Sequence, residues 1–352
     1  MMRDLTLGVL DQSPVRQGGT AAQALRETVA LARATEACGY AHYWVAEHHN
    51  AGGFAGTAPE VLIGQIAANT STIRVGSGGV MLSHYAALKV AETFRVLSAF
   101  YPGRIDLGIG RAPGSDRKTA VALAYPRALA DLDAFPDQVA DLRDYLSGGL
   151  PAAHPFAGVA ARPGTPTDAD AADPDIWLLG SSDYSARLAA ALGLPFAFAD
   201  FFGTAGDIGP QVAALYRQHF QPSASLREPK LSVAVHVVCA ETEAEAHRVA
   251  ASVRLSVARL RTDGASTALL PPSDAARLET ELDAGQGGFV AGFTKHFIEG
   301  DPASVRERLT LVAERYGAGS LTIATNCYAF EDRVRSYQLV AGAFSPARAA
   351  VA

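Results

Sequence analysis

Cysteine is scarce: three residues in 352, at Cys38, Cys239 and Cys327. They are odd in number, far apart and set in apolar segments, with no CxxC pair and no zinc-ligand spacing. The expectation is therefore reduced core residues, not disulfides or metal ligands. No long basic run occurs, and the formal net charge is −6. That disfavours nucleic acid as a partner, because neutralising phosphates takes clustered Lys and Arg. No apolar stretch reaches the ~18 residues that suggest a membrane span. The apolar part of the N-terminal MMRDLTLGVL is too short for a secretory signal. These absences lead to the expectation of a cytoplasmic protein that engages neither membrane nor nucleic acid. What the chain does have is apolar material: 49% hydrophobic residues against 19% charged. It can bury a large core and is not a disordered tail. The length allows two average domains or one large one.

Short apolar runs alternate with helical periodicity along the chain. Strands are predicted at Leu5–Leu10, Tyr40–Ala46, Ile73–Met81, Arg104–Ile109, Ile176–Leu179, Phe196–Asp200, Leu231–Cys239 and Leu321–Thr325. Between and after them lie helical patterns: Ala21–Cys38, Pro59–Ala68, Ala86–Phe100, Leu129–Leu146, Asp183–Leu192, Ile208–Phe220, Glu243–Leu260, Val305–Tyr316 and Asp332–Phe344. Gly39 and Gly193 stand just past helix ends, where a left-handed residue is expected. Asp301-Pro302 reads as an N-cap followed by proline at the first helical position. Regular strand–helix alternation forces a parallel sheet, since each crossover returns to the same end. Runs such as SVAVHVV are apolar on both faces, as buried parallel strands are. About eight such units closing on themselves give an α/β fold, a (β/α)8 TIM barrel in one domain over residues 1–352. An open doubly wound sheet is the rival.

Two segments break the rhythm. Gly148–Asp173, after strand 4, is rich in Ala, Pro, Gly and Asp. Thr262–Gly292, in the strand 7 unit, contains Leu269-Leu270-Pro271-Pro272 and Gly285-Gln286-Gly287-Gly288. Both read as long insertions, and 262–292 is placed to be a mobile lid over the functional end.

In a barrel the functional face is the carboxyl end of the strands. Strand 2 leads into Ala46-Glu47-His48-His49. One His of the pair can face the barrel mouth as a donor or general base. A pair of hydrogen-bonded loop histidines is the alternative, and a metal site would need a third ligand that the spacing does not offer. Glu47 reads either as a buried carboxylate orienting its neighbours or as a surface residue. After strand 3, Gly76-Ser77-Gly78-Gly79 would let a flat ligand approach the backbone, or mark a simple bulge. After strand 4, Gly108 to Gly114 has the spacing G-x-G-x-x-x-G, with Pro113 where a helix should start. That excludes a dinucleotide fingerprint. Arg111 is the better candidate there, gripping a phosphate or else pairing with Asp106 or Asp116. After strand 5, Ser181, Ser182 and Ser185 open a helix whose first amides lack partners, which is a ready anion site or ordinary capping.

Taken together and in order, GY-x-x-x-W-V-A-E-H-H, R-V-G-S-G-G, R-I-D-L-G-I-G-R and L-L-G-S-S resemble the bacterial luciferase-like family of flavin monooxygenases. The resemblance spans Leu7–Pro14, Cys38–His49, Ile73–Gly114, Trp177–Pro195 and Gly300–Leu339. It implies a (β/α)8 barrel that accepts reduced FMN from a separate flavin reductase and uses oxygen on a small organic substrate. It further implies that His48 is the catalytic histidine, that Gly78-Gly79 is a non-proline cis peptide under the flavin ring, and that Arg111, Ser181, Ser182 and Ser185 bind the phosphate. Arg127 is the candidate for a second phosphate arginine. The light-emitting luciferase subunit has cysteine where Gly110 stands, so light emission is not implied. The same resemblance implies a homodimer formed through the early helices. Two other functions share the fold: hydride transfer with the deazaflavin F420, and flavin binding without turnover.

Overall fold

The apolar runs form the strands they predict, and all of them pair in parallel. The computed structural model describes residues 5–112, 116–129, 131–163, 173–202, 208–264, 266–286 and 289–345. Its strands are β1 (Thr6–Asp11), β2 (His42–Val45), β3 (Arg74–Met81), β4 (Ile105–Gly110), β5 (Asp175–Gly180), β6 (Phe196–Ala199), β7 (Leu231–Cys239), β8 (Ile298–Gly300) and β9 (Ser320–Ala324). Strands β1 to β7 run round the barrel in order, and β9 closes it between β7 and β1. The three-residue β8 pairs only with the outer end of β7. It lies outside the ring, so eight strands make the barrel.

Helices α1 (Ala21–Ala37), α2 (Pro59–Ala68), α3 (Ala87–Phe100), α4 (Arg117–Ala124), α5 (Phe135–Ser147), α6 (Asp183–Leu192) and α7 (Gly209–His219) follow the first six strands. Then come α8 (Glu243–Asp263), α9 (Pro272–Gln286), α10 (Phe289–Thr294), α11 (Pro302–Tyr316) and α12 (Phe330–Phe344). Their starts obey local chemistry. Thr20 accepts the amide of Gln23, Thr242 that of Glu245 and Asp301 that of Ser304. Their ends do too: Gly193 and Gly317 sit in the left-handed region at φ 62° and 58°. Among the described residues no helix is long and apolar enough to cross a membrane.

Two apolar layers result. The larger lies between the outer strand faces and the helices, with Phe94, Phe196, Ile63 and Leu31 fully buried. Each such side chain contributes about 1.5–3 kcal/mol on burial. The smaller fills the barrel itself, around Leu10, Trp44, Trp177 and Ala234. One ion pair fastens β1 to α12: Arg333 Nη2 lies 2.6 Å from Asp11 Oδ1, both buried. Burial raises the Asp11 pKa, but the Arg333 guanidinium and the hydrogen bonds from Tyr43, Arg333 and Ser13 outweigh it and hold the carboxyl below its usual range.

The described part of the insertion after β4 is irregular, as expected, whereas the one in the strand 7 unit carries helices. Residues 262–292 are not a long loop, for α9 and α10 occupy most of them. Leu269 to Pro272 punctuates the start of α9, with Pro272 as its first residue. Leu270, Leu278 and Leu282 pack with Ala275 on Ala251 and Leu255 of α8. Arg254 of α8 binds both oxygens of Glu279, at 2.8 and 2.9 Å. The stretch before α9 is tied to the start of the barrel, where Gln17 N–H and Leu269 N–H exchange bonds with Leu269 O and Val15 O. Residues 164–172 of the other insertion lie outside the described residues. The described part is held against the flank of the barrel by Arg95 of α3, which donates to Leu146 O, Ala161 O and Pro163 O. The helix predicted at Leu129–Leu146 begins at Phe135, after a short 3-10 turn at Leu132–Ala134. Helix α4, capped by Asp116 and rich in alanine, had no predicted counterpart.

Candidate active site

Side chains alternate along a strand, so each barrel strand sends every second residue inwards, towards its carboxyl end. On β1 the inward residues are Leu10 and, just beyond the strand, Gln12. On β2 they are Trp44 and Ala46, then His48. On β7 they are Ala234 and His236, and on β9 Thr322 and Ala324, then Asn326. Above the apolar plug of the barrel these residues open into two adjoining chambers. Met81, Ala112, Phe201 and Phe202 line both.

The first chamber has a volume of about 360 Å³. Gly78, Gly79, Arg111, Ser181, Ser182 and Ser185, singled out from three separate strand ends, all line it. The Gly78–Gly79 peptide is cis. A Cβ on Gly78 would come within 2.6 Å of Leu10 Cδ1, and one on Gly79 within 2.7 Å of Gly108 O. Only glycine therefore leaves this floor flat and lets β3 lie so close to β4. Arg111 stacks over the Tyr184 ring at 4.0 Å. The alternative partners do not hold it: Asp106 is bound by Arg74 and Trp44 Nε1, and Asp116 caps α4. Among the described residues no carboxylate pairs with Arg111.

Opposite Arg111, Ser182 caps α6. Ser185 Oγ donates to Ser182 O at 2.8 Å and accepts from Ser182 N–H at 3.4 Å. A side chain on Gly180 would collide with Ser185, which explains the glycine before the serines. Asp183 does not oppose an anion there, because its exposed carboxylate turns to its own helix, accepting from Tyr184 N–H and lying 4.0 Å from Arg187. The chamber thus joins an uncommitted guanidinium, a helix N-terminus with serine hydroxyls and a flat glycine floor. That set fits a planar ligand bearing a phosphate.

The second chamber has a volume of about 490 Å³. His48 lines it, half-buried, with its ring stacked on Phe54 at 4.6 Å. Burial, with His49 beside it, pushes the His48 imidazole down to about 4, so it is neutral at pH 7. Its Nδ1 is buried without a partner among the described residues. His49 lines the same chamber, with its Nε2 2.7 Å from Glu47. Glu47 is the buried carboxylate of the two readings: it also accepts from Met81 N–H at 2.9 Å and Tyr85 OH at 2.6 Å. It thereby locks the loop after β2 to the end of β3, beside the glycine floor. Among the described residues Arg127 lines neither chamber, and its guanidinium donates to His84 O at 3.4 Å. Pro113 and Gly114 lie outside the described residues.

Sequence reasoning missed Gln12, His236 and Asn326, which border the second chamber. The signal was parity: each stands two residues beyond an inward-facing strand residue. Helix α8 supplies the opposite wall, with Val253, Val257 and Leu260, and Ser266 follows from the segment after it.

A family model described as luciferase-like monooxygenase matches residues 5–319. A protein named luciferase-like monooxygenase from Escherichia coli K12 is 38% identical over 96% of each chain. The N-acetyl-S-alkylcysteine monooxygenase of Bacillus subtilis is 37% identical over 98% of this chain and 99% of its own. Among solved structures, apo-MsnO8 is 39% identical and superposes with a TM-score of 0.83, over 97% of this chain and 98% of that one. More distant structures share the fold alone. The oxygenating constituent of 3,6-diketocamphane monooxygenase from Pseudomonas putida, solved with FMN, has a TM-score of 0.71 at 20% identity, over 98% of this chain and 99% of that one. An F420-dependent secondary alcohol dehydrogenase has 0.68 at 12%, over 97% of this chain and 100% of that one.

Proposed function

The chain belongs to the luciferase-like monooxygenase family, and from that premise we propose that it is the oxygenase of a two-component system that takes reduced FMN from a separate reductase and oxygenates a small organic substrate. The observation that carries this reading is Arg111, a guanidinium with no carboxylate partner among the described residues, facing the serine-capped start of α6 across a chamber floored by Gly78-Gly79. Arg111, Ser181, Ser182 and Ser185 would hold the phosphate, and the glycine pair would lie under the ring. When bound, the reduced flavin supplies the electrons that activate oxygen. His48, kept neutral by burial, is able to take or return a proton in the second chamber, which adjoins the first. Apolar walls from Phe201, Phe202 and α8 exclude water from the same region.

The finer parts of the reading have their own supports. A lid role for segment 262–292 fits Gly264 and Ser266, which line the second chamber, and α9, which packs on the back of the chamber-lining helix α8. A homodimer through α2 and α3 fits the exposed apolar residues there, Val61, Val96 and Phe100. A cytoplasmic setting fits three free cysteines.

The test is to mix the purified protein with photoreduced FMN, then with air, and to follow flavin oxidation by absorbance. FMN, and separately F420, is offered and then removed by desalting. Retention of FMN and an oxidation rate distinct from that of free flavin are expected. Retention of F420 alone, or reduced FMN that behaves as in buffer, would overturn the proposal.

A further inference from the structure

His236 is the histidine in the apolar run of β7, and it is 5% exposed. Its ring is held between aromatics, 5.5 Å from Phe201 and 4.5 Å from Phe297. Nδ1 lies 3.3 Å from Ala324 O. A carbonyl oxygen only accepts, so Nδ1 carries the proton and Nε2 keeps a lone pair. No partner for Nε2 occurs among the described residues, and His236 lines the second chamber. Burial pushes this imidazole down to about 4, which keeps it in that neutral form. Beside it, Asn326 donates through Nδ2 to Gln12 Oε1 at 2.6 Å, while its buried Oδ1 has no donor. Strands β7, β9 and β1 are consecutive in the barrel, so His236, Asn326 and Gln12 form one polar arc. Across from it stand Val253, Val257 and Leu260. The charged side chains lining this chamber among the described residues, Asp116 and Arg261, are exposed.

The arc presents two unfilled acceptors, His236 Nε2 and Asn326 Oδ1. An anionic group there would lose its hydration with no buried cation in the described lining to replace it. A cationic group would lose its hydration with no buried carboxylate lining the chamber to replace it. A neutral N–H or O–H would satisfy what the protein leaves open. We propose that the second chamber selects neutral organic molecules with a hydrogen-bond donor next to an apolar chain, and that His236 Nε2 is the specificity-determining acceptor. This rests on the first chamber being the flavin site, which leaves the second for substrate.

Two probes differ at the amide nitrogen: N-butylacetamide has an N–H, and N-butyl-N-methylacetamide has a methyl group in its place. Their binding to the full-length protein is to be ranked by saturation-transfer NMR, with FMN affinity measured separately on each protein by fluorescence. The secondary amide should bind about tenfold tighter, the ratio expected for one hydrogen bond to a buried acceptor. His236→Leu should abolish the difference, and His236→Gln, which retains an acceptor, should preserve it. All three proteins should bind FMN alike. Equal binding of the two amides, no binding of either, or discrimination surviving in His236→Leu would overturn the inference. If the leucine variant does not fold, the glutamine variant decides by keeping or losing the preference. Loss of FMN binding by the wild-type protein would instead refute the flavin reading itself.

Discussion

Lowering the pH from 7 to 5 should destabilise this protein through its buried histidines. His42 and His236 are buried inside the barrel, with pKa values pushed from 6.5 to about 3 and about 4. In both cases burial is the main cause; nearby Lys230 and Arg74 add to it for His42. The unfolded chain binds a proton at each site below about pH 6.5, whereas the folded chain does not until pH 4 or 3. The unfolded state therefore binds more protons throughout that window, and stability falls as the pH falls. At pH 5 each histidine costs about 2 kcal/mol relative to pH 7, so the pair costs about 4 kcal/mol. His48, shifted the same way but partly exposed, adds less. Against a typical total of about 5–15 kcal/mol, this is a large fraction. Asp11, whose pKa is lowered, loses its contribution only as the pH drops below 3.8, outside the window. Urea titrations at pH 7, 6 and 5 should show the midpoint falling by about 1–2 M in total. The double variant His42→Gln/His236→Gln should lose most of that dependence. A midpoint unchanged between pH 7 and 5, or a double variant as acid-sensitive as the parent, would refute the reasoning.

Further outcomes are expected at the site and at the surface. Arg111→Ala should weaken FMN binding about ten- to hundredfold, the worth of a charge-assisted bond, as read by fluorescence titration; an unchanged Kd would remove Arg111 from the phosphate site. His48→Ala should bind FMN within about twofold of the parent but release more of the consumed oxygen as hydrogen peroxide, measured by a peroxidase-coupled assay. Unaltered peroxide release would exclude His48 from the reaction. Phe100→Glu combined with Val61→Glu should halve the mass seen by light scattering, since a carboxylate on each apolar patch would oppose its counterpart. A parent protein that is already monomeric would remove the dimer from the reading.

The eight barrel strands were legible because parallel strands buried on both faces leave uninterrupted apolar runs, and the turn glycines at Gly39 and Gly193 marked where helices stop. The helices of segment 262–292 were missed because Pro271-Pro272 and Gly287-Gly288 carry the signs of a loop. Proline at the start of a helix carries the same sign, and only the leucines packing on α8 distinguish the two. Strand β8 is too short to leave a pattern. Among site residues, Arg111 and the serines stood out because polar groups at strand ends are conspicuous. His236 did not, since one histidine inside SVAVHVV reads as a satisfied core residue. Its place beside Asn326 and Gln12 depends on β9 returning next to β1, a pairing between the two ends of the chain.

That pairing also fixes when the enzyme comes into being. Arg333 reaches Asp11 across 322 positions, and Asn326 reaches Gln12 across 314. A ribosome working at ~5–20 residues per second needs roughly 15–60 s to span such a distance. Throughout that time β1 is already made, but one of its two neighbours does not yet exist. Its free edge is open to capture by other nascent chains. The barrel that frames both chambers closes only when β9 leaves the ribosome, so a cofactor bound there would find its complete site late in folding. The yield of folded protein should therefore depend on chaperones that shield the growing half-barrel.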